Sequence, residues 1–203
     1  MRTLVRVSPK LNRAASGIFT MVLAIAATLA VTGTPASAYA LHNCRVAARS
    51  GYIIDWTDST GGGSYGFVAH NSVMAWHNTA TPIVFSKVPS GGHFDIRQGN
   101  FGNTGFDGIT AAESGLFPTC GGNGTWSTKL RAWWNTDYTD SYPSEKKQSV
   151  MAHEIGHVLG VAHSGVGPCV SVPLAYPATS TRWDACRIKA PKQDDMNAVN
   201  FIY

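Results

Sequence analysis

The chain lacks a long apolar run. Its longest, Ile18 to Val31, falls short of the about 20 residues a membrane-spanning helix needs. It also lacks charge of one sign once its first segment is set aside. The formal balance is +4, but Arg2, Arg6, Lys10 and Arg13 all lie before residue 39 and no acid accompanies them. The remainder then carries equal numbers of basic and acidic residues, which removes any electrostatic reason to expect nucleic acid or an anionic membrane as a partner. Cysteine is sparse, with Cys44, Cys120, Cys169 and Cys186 only, and no internal repeat is visible.

The basic start, the short apolar core and the small residues Ala36-Ser37-Ala38 together have the form of a secretory signal peptide over residues 1–38. No Arg-Arg pair precedes the apolar core, so ordinary export of an unfolded chain is expected. The expected product is a secreted, extracellular protein with no membrane contact after signal removal. From Tyr39 onward about 165 residues remain, enough for one domain with its own core. An even cysteine count in an exported chain reads as two disulfides. Cys169 and Cys186 bracket one irregular segment and are expected to pair, which leaves Cys44 with Cys120. The alternative for Cys44 is a free thiolate that caps a metal ion and keeps the protein latent.

What is there in strength is VMAHEIGHVLGVAHS, residues 150–164. On a helix, positions i and i+4 share a face, so His153 and His157 can present two imidazoles to one metal ion. Glu154 lies beside the first of them. Gly160 can take the left-handed conformation that ends a helix, turning the chain back so that His163 supplies a third nitrogen. Three protein nitrogens leave one position of a Zn2+ ion open to water, which is the arrangement of a catalytic site. Such a zinc lowers the pKa of its water toward 7, and Glu154 is placed to act as the base.

The rest of the chain reads as a mixture of strands and helices. Strands are expected at 51–57, 82–88, 93–98 and 129–135, with GITAA (108–112) as a short edge strand. Helices are expected at 65–80, at 145–159 with Ser144 as N-cap, and at 192–203. His70 and His77, on the first helix, read as surface or packing residues. Residues 99–124 are mostly loop. Asp107 and Glu113 are candidates there for a calcium ion, although their spacing matches no calcium loop. Residues 165–191 read as irregular.

The 153–163 motif resembles that of the metzincin zinc endopeptidases. Ser164 after the third histidine resembles the matrixin branch, where an astacin would have Glu. Residues 72–88 (SVMAWHNTATPIVFSKV) are similar to the matrixin first helix and following strand, and residues 193–203 (QDDMNAVNFIY) to its closing helix. The extra residues and the Cys169/Cys186 bracket are similar to the small secreted bacterial metzincins, which however use Asp as third ligand. The resemblance implies an α+β catalytic domain over residues 39–203. Its upper part, to about 160, would hold a twisted mixed sheet and two long helices above a cleft; its lower part, from about 161, would be a small irregular subdomain ending in a helix. It implies a secreted zinc-dependent endopeptidase acting on protein or peptide substrates that add as a strand along the sheet edge, and the chain is expected to be a monomer.

The resemblance also places Leu174, Tyr176 and Pro177 beside the pocket for the residue after the scissile bond, with Tyr176 as a wall. Three departures accompany it. Ala175 stands where the methionine of the metzincin turn is expected. The 99–124 segment has no His for a second, structural zinc. Only about a dozen residues separate the expected cleavage site from the first strand, too few for a matrixin pro-segment. Two other function classes fit the residues. One is a catalytically silent binding module on the same fold, for which Glu154 would have no use. The other is a zinc amidase acting on cell-wall peptides.

Overall fold

The computed structural model describes residues 39–116, 118–165, 169 and 173–203. The expected signal peptide lies outside the described residues. Alternating apolar residues drive the sheet. Strands β2 (Ile53–Asp58), β3 (Val84–Lys87), β4 (Phe94–Gly99), β5 (Gly108–Ala112) and β6 (Leu130–Asn135) form one mixed sheet in the order β3-β2-β4-β6-β5. The first four run parallel, and β5 is antiparallel at one edge. Ile54, Trp56, Phe94, Ile96, Leu130, Ala132 and Trp134 are buried on one face. Two further short strands, β1 (Ala40–Leu41) and β7 (Val161–Ala162), pair antiparallel by themselves.

Helices α1 (Gly63–His77) and α3 (Ser144–Leu159) belong to the same core. Trp76 of α1 donates its indole N–H to the Ala152 carbonyl at 2.8 Å. A Cβ on Gly156 would stand 3.2 Å from the Trp76 ring, so glycine there lets the two helices approach. Leu159, Leu174, Ala175 and Val199 join this core, so the segment after the third histidine packs into the same interior as the sheet. A four-residue helix α2 (Thr136–Thr139) occupies the connector, and helix α4 (Gln193–Ile202) closes the chain.

Two local expectations shift. Ser144 is the first residue of α3 and not its cap; Pro143 precedes it with extended backbone, and its carbonyl accepts from the Lys147 N–H. The segment 165–191 is not wholly irregular, because Ser180–Ala185 forms one π-helical turn. On α4 Asp195, Ala198 and Val199 are buried, and Met196 and Ile202 beside them are partly buried. Cys44 pairs with Cys120, and Cys169 with Cys186, with Cα–Cα separations of 5.5 and 5.1 Å. The bonded Cys44 is therefore not a free thiolate. Among the described residues, no helix is long and apolar enough to cross a membrane.

Candidate metal centre and cleft

Helix α3 carries His153 and His157 one turn apart. Gly160 then ends it with φ 102°, the left-handed value that turns the chain into β7 and brings round His163. The three Nε2 atoms converge, 3.0 Å from His153 to His157, 3.1 Å from His157 to His163 and 3.2 Å from His153 to His163. His153 Nδ1 donates to the Leu174 carbonyl and His157 Nδ1 to the Val161 carbonyl, both at 2.8 Å. A carbonyl can only accept, so each of these Nδ1 atoms carries the proton and each Nε2 presents a lone pair. Lone pairs at such separations repel unless a cation lies between them. Tetrahedral zinc with Zn–N bonds of about 2.0–2.1 Å places its nitrogens about 3.3 Å apart, close to the spacing seen. The donor set thus fits a zinc ion.

Electrostatics agree with neutral imidazoles. Burial drives His153 far below the ordinary histidine value and His157 down to about 3, and it lowers His163 too. Glu154 is 5 % exposed, and burial pushes its carboxyl up to about 8. The Thr110 hydroxyl opposes that shift by donating to Glu154 Oε2 at 2.8 Å. Thr110 belongs to β5, so the free sheet edge and the acid are tied together. Gly108 is required at the same edge: a Cβ there would lie 2.6 Å from Val150 Cγ1 and 2.8 Å from Glu154 Oε1.

Beneath the histidines the turn at Leu174-Ala175 is held by Asp195. This carboxylate, 1 % exposed, accepts from the backbone N–H groups of Leu174 (2.8 Å), Ala175 (2.9 Å) and Lys192 (2.8 Å). Ala175 itself is buried in the core. The chain of contacts therefore runs from α4 through the turn to His153 and orients its imidazole from behind.

Two cavities flank Glu154. One, of about 510 Å³, is the more polar of the two and includes Asp107, Tyr142, Lys146, Pro177, Thr179 and Arg182. Arg182 is 1 % exposed and donates to Ser149 Oγ, to the Tyr176 and Pro177 carbonyls and to Thr179 Oγ1; the Thr179 hydroxyl in turn donates to Asp107. The other cavity, of about 300 Å³, is mostly apolar and includes His42, Ile109, Pro118 and Trp126.

Of the three turn residues expected at a substrate pocket, Pro177 lines the polar cavity. Leu174 is buried under His153, and the half-buried Tyr176 offers its carbonyl to Arg182. Asp107 faces this cavity and Glu113 pairs with Arg131 at 2.8 Å, so the two candidate calcium acids have separate partners. His93 Nδ1 accepts from the Asp55 N–H, and Asp95 lies under Arg97 and Lys129 on the outer face of the sheet. His70 is exposed and His77 Nδ1 accepts from the Phe85 N–H. Sequence reasoning missed Thr110, Arg182, Asp195, His42 and Trp126. Each acts through a tertiary contact, and no spacing in the sequence points to it.

The matrixin family model matches residues 67–203. Interstitial collagenase from Bos taurus is 33% identical over 135 residues, covering 63% of this chain and 26% of that protein. Serralysin G from Dickeya chrysanthemi is 32% identical over 97 residues, covering 46% of this chain and 20% of that protein. The chain thus matches about a quarter of the length of these curated relatives or less. The solved structure of myroilysin aligns with a TM-score of 0.39 at 18% identity, over 59% of this chain and 54% of that one.

Proposed function

This chain belongs to the matrixin family, and from that premise we propose that it is a secreted zinc endopeptidase hydrolysing peptide bonds in proteins or peptides. In this reading residues 1–38 are a signal peptide removed on export and residues 39–203 are the catalytic domain. The observation that carries the proposal is the convergence of three Nε2 lone pairs at 3.0–3.2 Å beside a buried carboxylate, at an open sheet edge.

His153, His157 and His163 would hold the zinc ion. Bound there, zinc supplies a Lewis acid for the scissile carbonyl and an acidified water. The chain's own residues do the rest. The edge of β5 offers backbone groups to an extended peptide, which fixes the scissile bond over the histidines. Glu154 accepts the proton of the attacking water on its carboxylate and delivers it to the departing amine nitrogen. Thr110 holds that carboxylate by one hydrogen bond, and its hydroxyl also reaches the Glu154 carbonyl at 2.9 Å. The hydrophobic surroundings keep the carboxyl's affinity for a proton high, which suits a group that must take one up and return it.

The test is cleavage of casein and of a peptide library by the chain from Tyr39 onward, with a chelator and with Glu154→Ala as controls. The expected result is cleavage that disappears with the chelator and falls by about 10²–10⁴ in Glu154→Ala, while that variant still binds zinc. A folded, zinc-loaded protein that cuts nothing would overturn the endopeptidase reading and favour a silent binding module. Cleavage confined to cell-wall peptides would favour the amidase.

A further inference from the structure

The segment 40–45 is part of the cleft. β1 pairs with β7, in register Ala40 with Ala162 and Leu41 with Val161, directly between the second and third histidines. The His42 N–H then donates to the Gly160 carbonyl at 2.8 Å. Its ring meets His157 edge-on at 5.4 Å and lies 5.9 Å from Trp126. Two residues later, Cys44 is bonded to Cys120. The Arg45 N–H donates to the Gly124 carbonyl, and the Trp126 N–H returns to the Arg45 carbonyl at 2.9 Å. The Trp126 indole N–H is anchored on the Val158 carbonyl of α3 at 2.7 Å. Segments 40–45 and 118–126 are thus stapled to each other and to the metal helix. Between them and β5 lies the 300 Å³ cavity with His42, Ile109, Pro118 and Trp126 as its walls and Glu154 at its inner end.

We propose that this cavity is a subsite for one aromatic or large aliphatic side chain of a peptide, on the amino side of the scissile bond, and that the Cys44–Cys120 disulfide builds it by holding its two walls together. The inference rests on the endopeptidase reading for the word scissile, and on the geometry for the rest. The cavity is mostly apolar and also touches Glu154, His157 and His163, so a side chain entering it belongs to a peptide lying over the histidines. Its volume of about 300 Å³ is about twice that of an apolar cavity that holds benzene, so one phenyl or isobutyl group fits with room to spare. The direction follows from β5: Phe106 and Asp107, just before it, line the polar cavity, and its Ile109 and Thr110 line the apolar one. A peptide pairing antiparallel, the more stable arrangement, passes the apolar cavity first, then Glu154, then the polar cavity. The segment 40–45 thus decides which peptides fit.

The experiment separates binding from cleavage. Titration calorimetry on the zinc-loaded Glu154→Ala protein compares an alanine-rich hexapeptide bearing a single Phe with its all-Ala counterpart. The Phe peptide is expected to bind about tenfold tighter or more. Trp126→Ala and the paired Cys44→Ser/Cys120→Ser change are each expected to bring that ratio toward one, and Trp126→Phe to keep it. Ile109→Asp, which leaves both staples in place, carries the test if the cysteine variant does not fold. A ratio near one in the unaltered cleft, or a Phe preference that survives Trp126→Ala and Ile109→Asp, overturns the subsite. The intact protein then reports the direction through its cut sites, expected after Phe or Leu; cuts regularly placed before such residues overturn the stated side. Absence of any cleavage defeats the endopeptidase reading alone, because the binding ratio still decides the subsite.

Discussion

Asp195 offers the sharpest test of how the metal centre is held. Replacing it by alanine removes the acceptor of three backbone N–H groups at once. The Lys192 N–H lies at the start of α4 and is only partly buried, so water can replace its partner. The Leu174 and Ala175 N–H groups are buried and cannot recruit water without opening the turn. Each buried donor left unpaired costs about 1–3 kcal/mol, so the two together predict a loss of about 2–6 kcal/mol. The buried Arg182 guanidinium also loses the favourable field of the Asp195 charge, which pushes the loss toward the upper end. Urea unfolding with zinc chelated measures this directly, as a lower midpoint at an unchanged slope. The same substitution should loosen the Leu174 carbonyl that orients His153. Loss of such an outer partner typically weakens metal binding by about 10–100-fold, which chelator competition would read. Asp195→Asn keeps one acceptor oxygen and should fall between wild type and alanine in both assays. A loss below about 1 kcal/mol in Asp195→Ala, with zinc affinity unchanged, would refute the claim that this carboxylate supports the centre.

Three further outcomes follow from the same contacts. Gly160→Ala places a side chain at φ 102° and drives its Cβ into the Cys44 carbonyl oxygen, so melting should show a loss of about 3 kcal/mol or more; an unchanged melting temperature would mean the turn is free to move. Gly108→Ala presses on Val150 and on Glu154 Oε1, and should lower kcat by about 10–100-fold in a protein that still binds zinc; a fall in KM alone would show that the base had not shifted. The metal-free protein should lose stability as pH drops. The histidines have folded values depressed below 6.5, so the stability they contribute is present above that value and is lost as pH falls through it toward about 3. Glu154 acts in the opposite direction, since its raised value favours folding below 4.5 and withdraws that contribution as pH rises toward about 8. Melting curves with a chelator from pH 7 to pH 4 check the sign, and a midpoint that climbs on acidification would contradict it.

How much of this was legible in the sequence depends on how local each cause is. Helix α3 and its histidines could be read because the i, i+4 spacing and the terminating Gly160 act within three turns of one helix. The sheet strands could be read from alternation, since Phe94 and Ile96 or Leu130, Ala132 and Trp134 must share a face wherever the sheet lies. Their limits moved by one or two residues, because neighbouring strands decide where pairing stops. β5 was legible as an edge from its position between loops, but the use made of its Thr110 was not. A threonine in an edge strand is ordinary, and only the packing of α3 across the sheet brings its hydroxyl to Glu154.

The remaining site residues share that character. Asp195 is a first-turn acid of α4, a position the helix dipole favours. That local role and its role under the metal centre use the same carboxylate, since one oxygen accepts from both Lys192 and Leu174. Asp107 was weighed for calcium because it sits among loop glycines, yet the Thr179 hydroxyl reaches it from 72 residues away. Arg182 was one basic residue in an irregular stretch. Its four hydrogen-bonding partners, two of them backbone carbonyls, are what fix the segment after the turn as a wall of the cleft. In the proposed reading the 153–163 motif would supply the metal ligands and the base, while the shape of the cleft comes from long-range contacts that each depend on the folded whole. A change in substrate preference is accordingly expected from residues such as Arg182, Trp126 and Ile109, and loss of the metal from the α3 histidines and the carboxylate behind them.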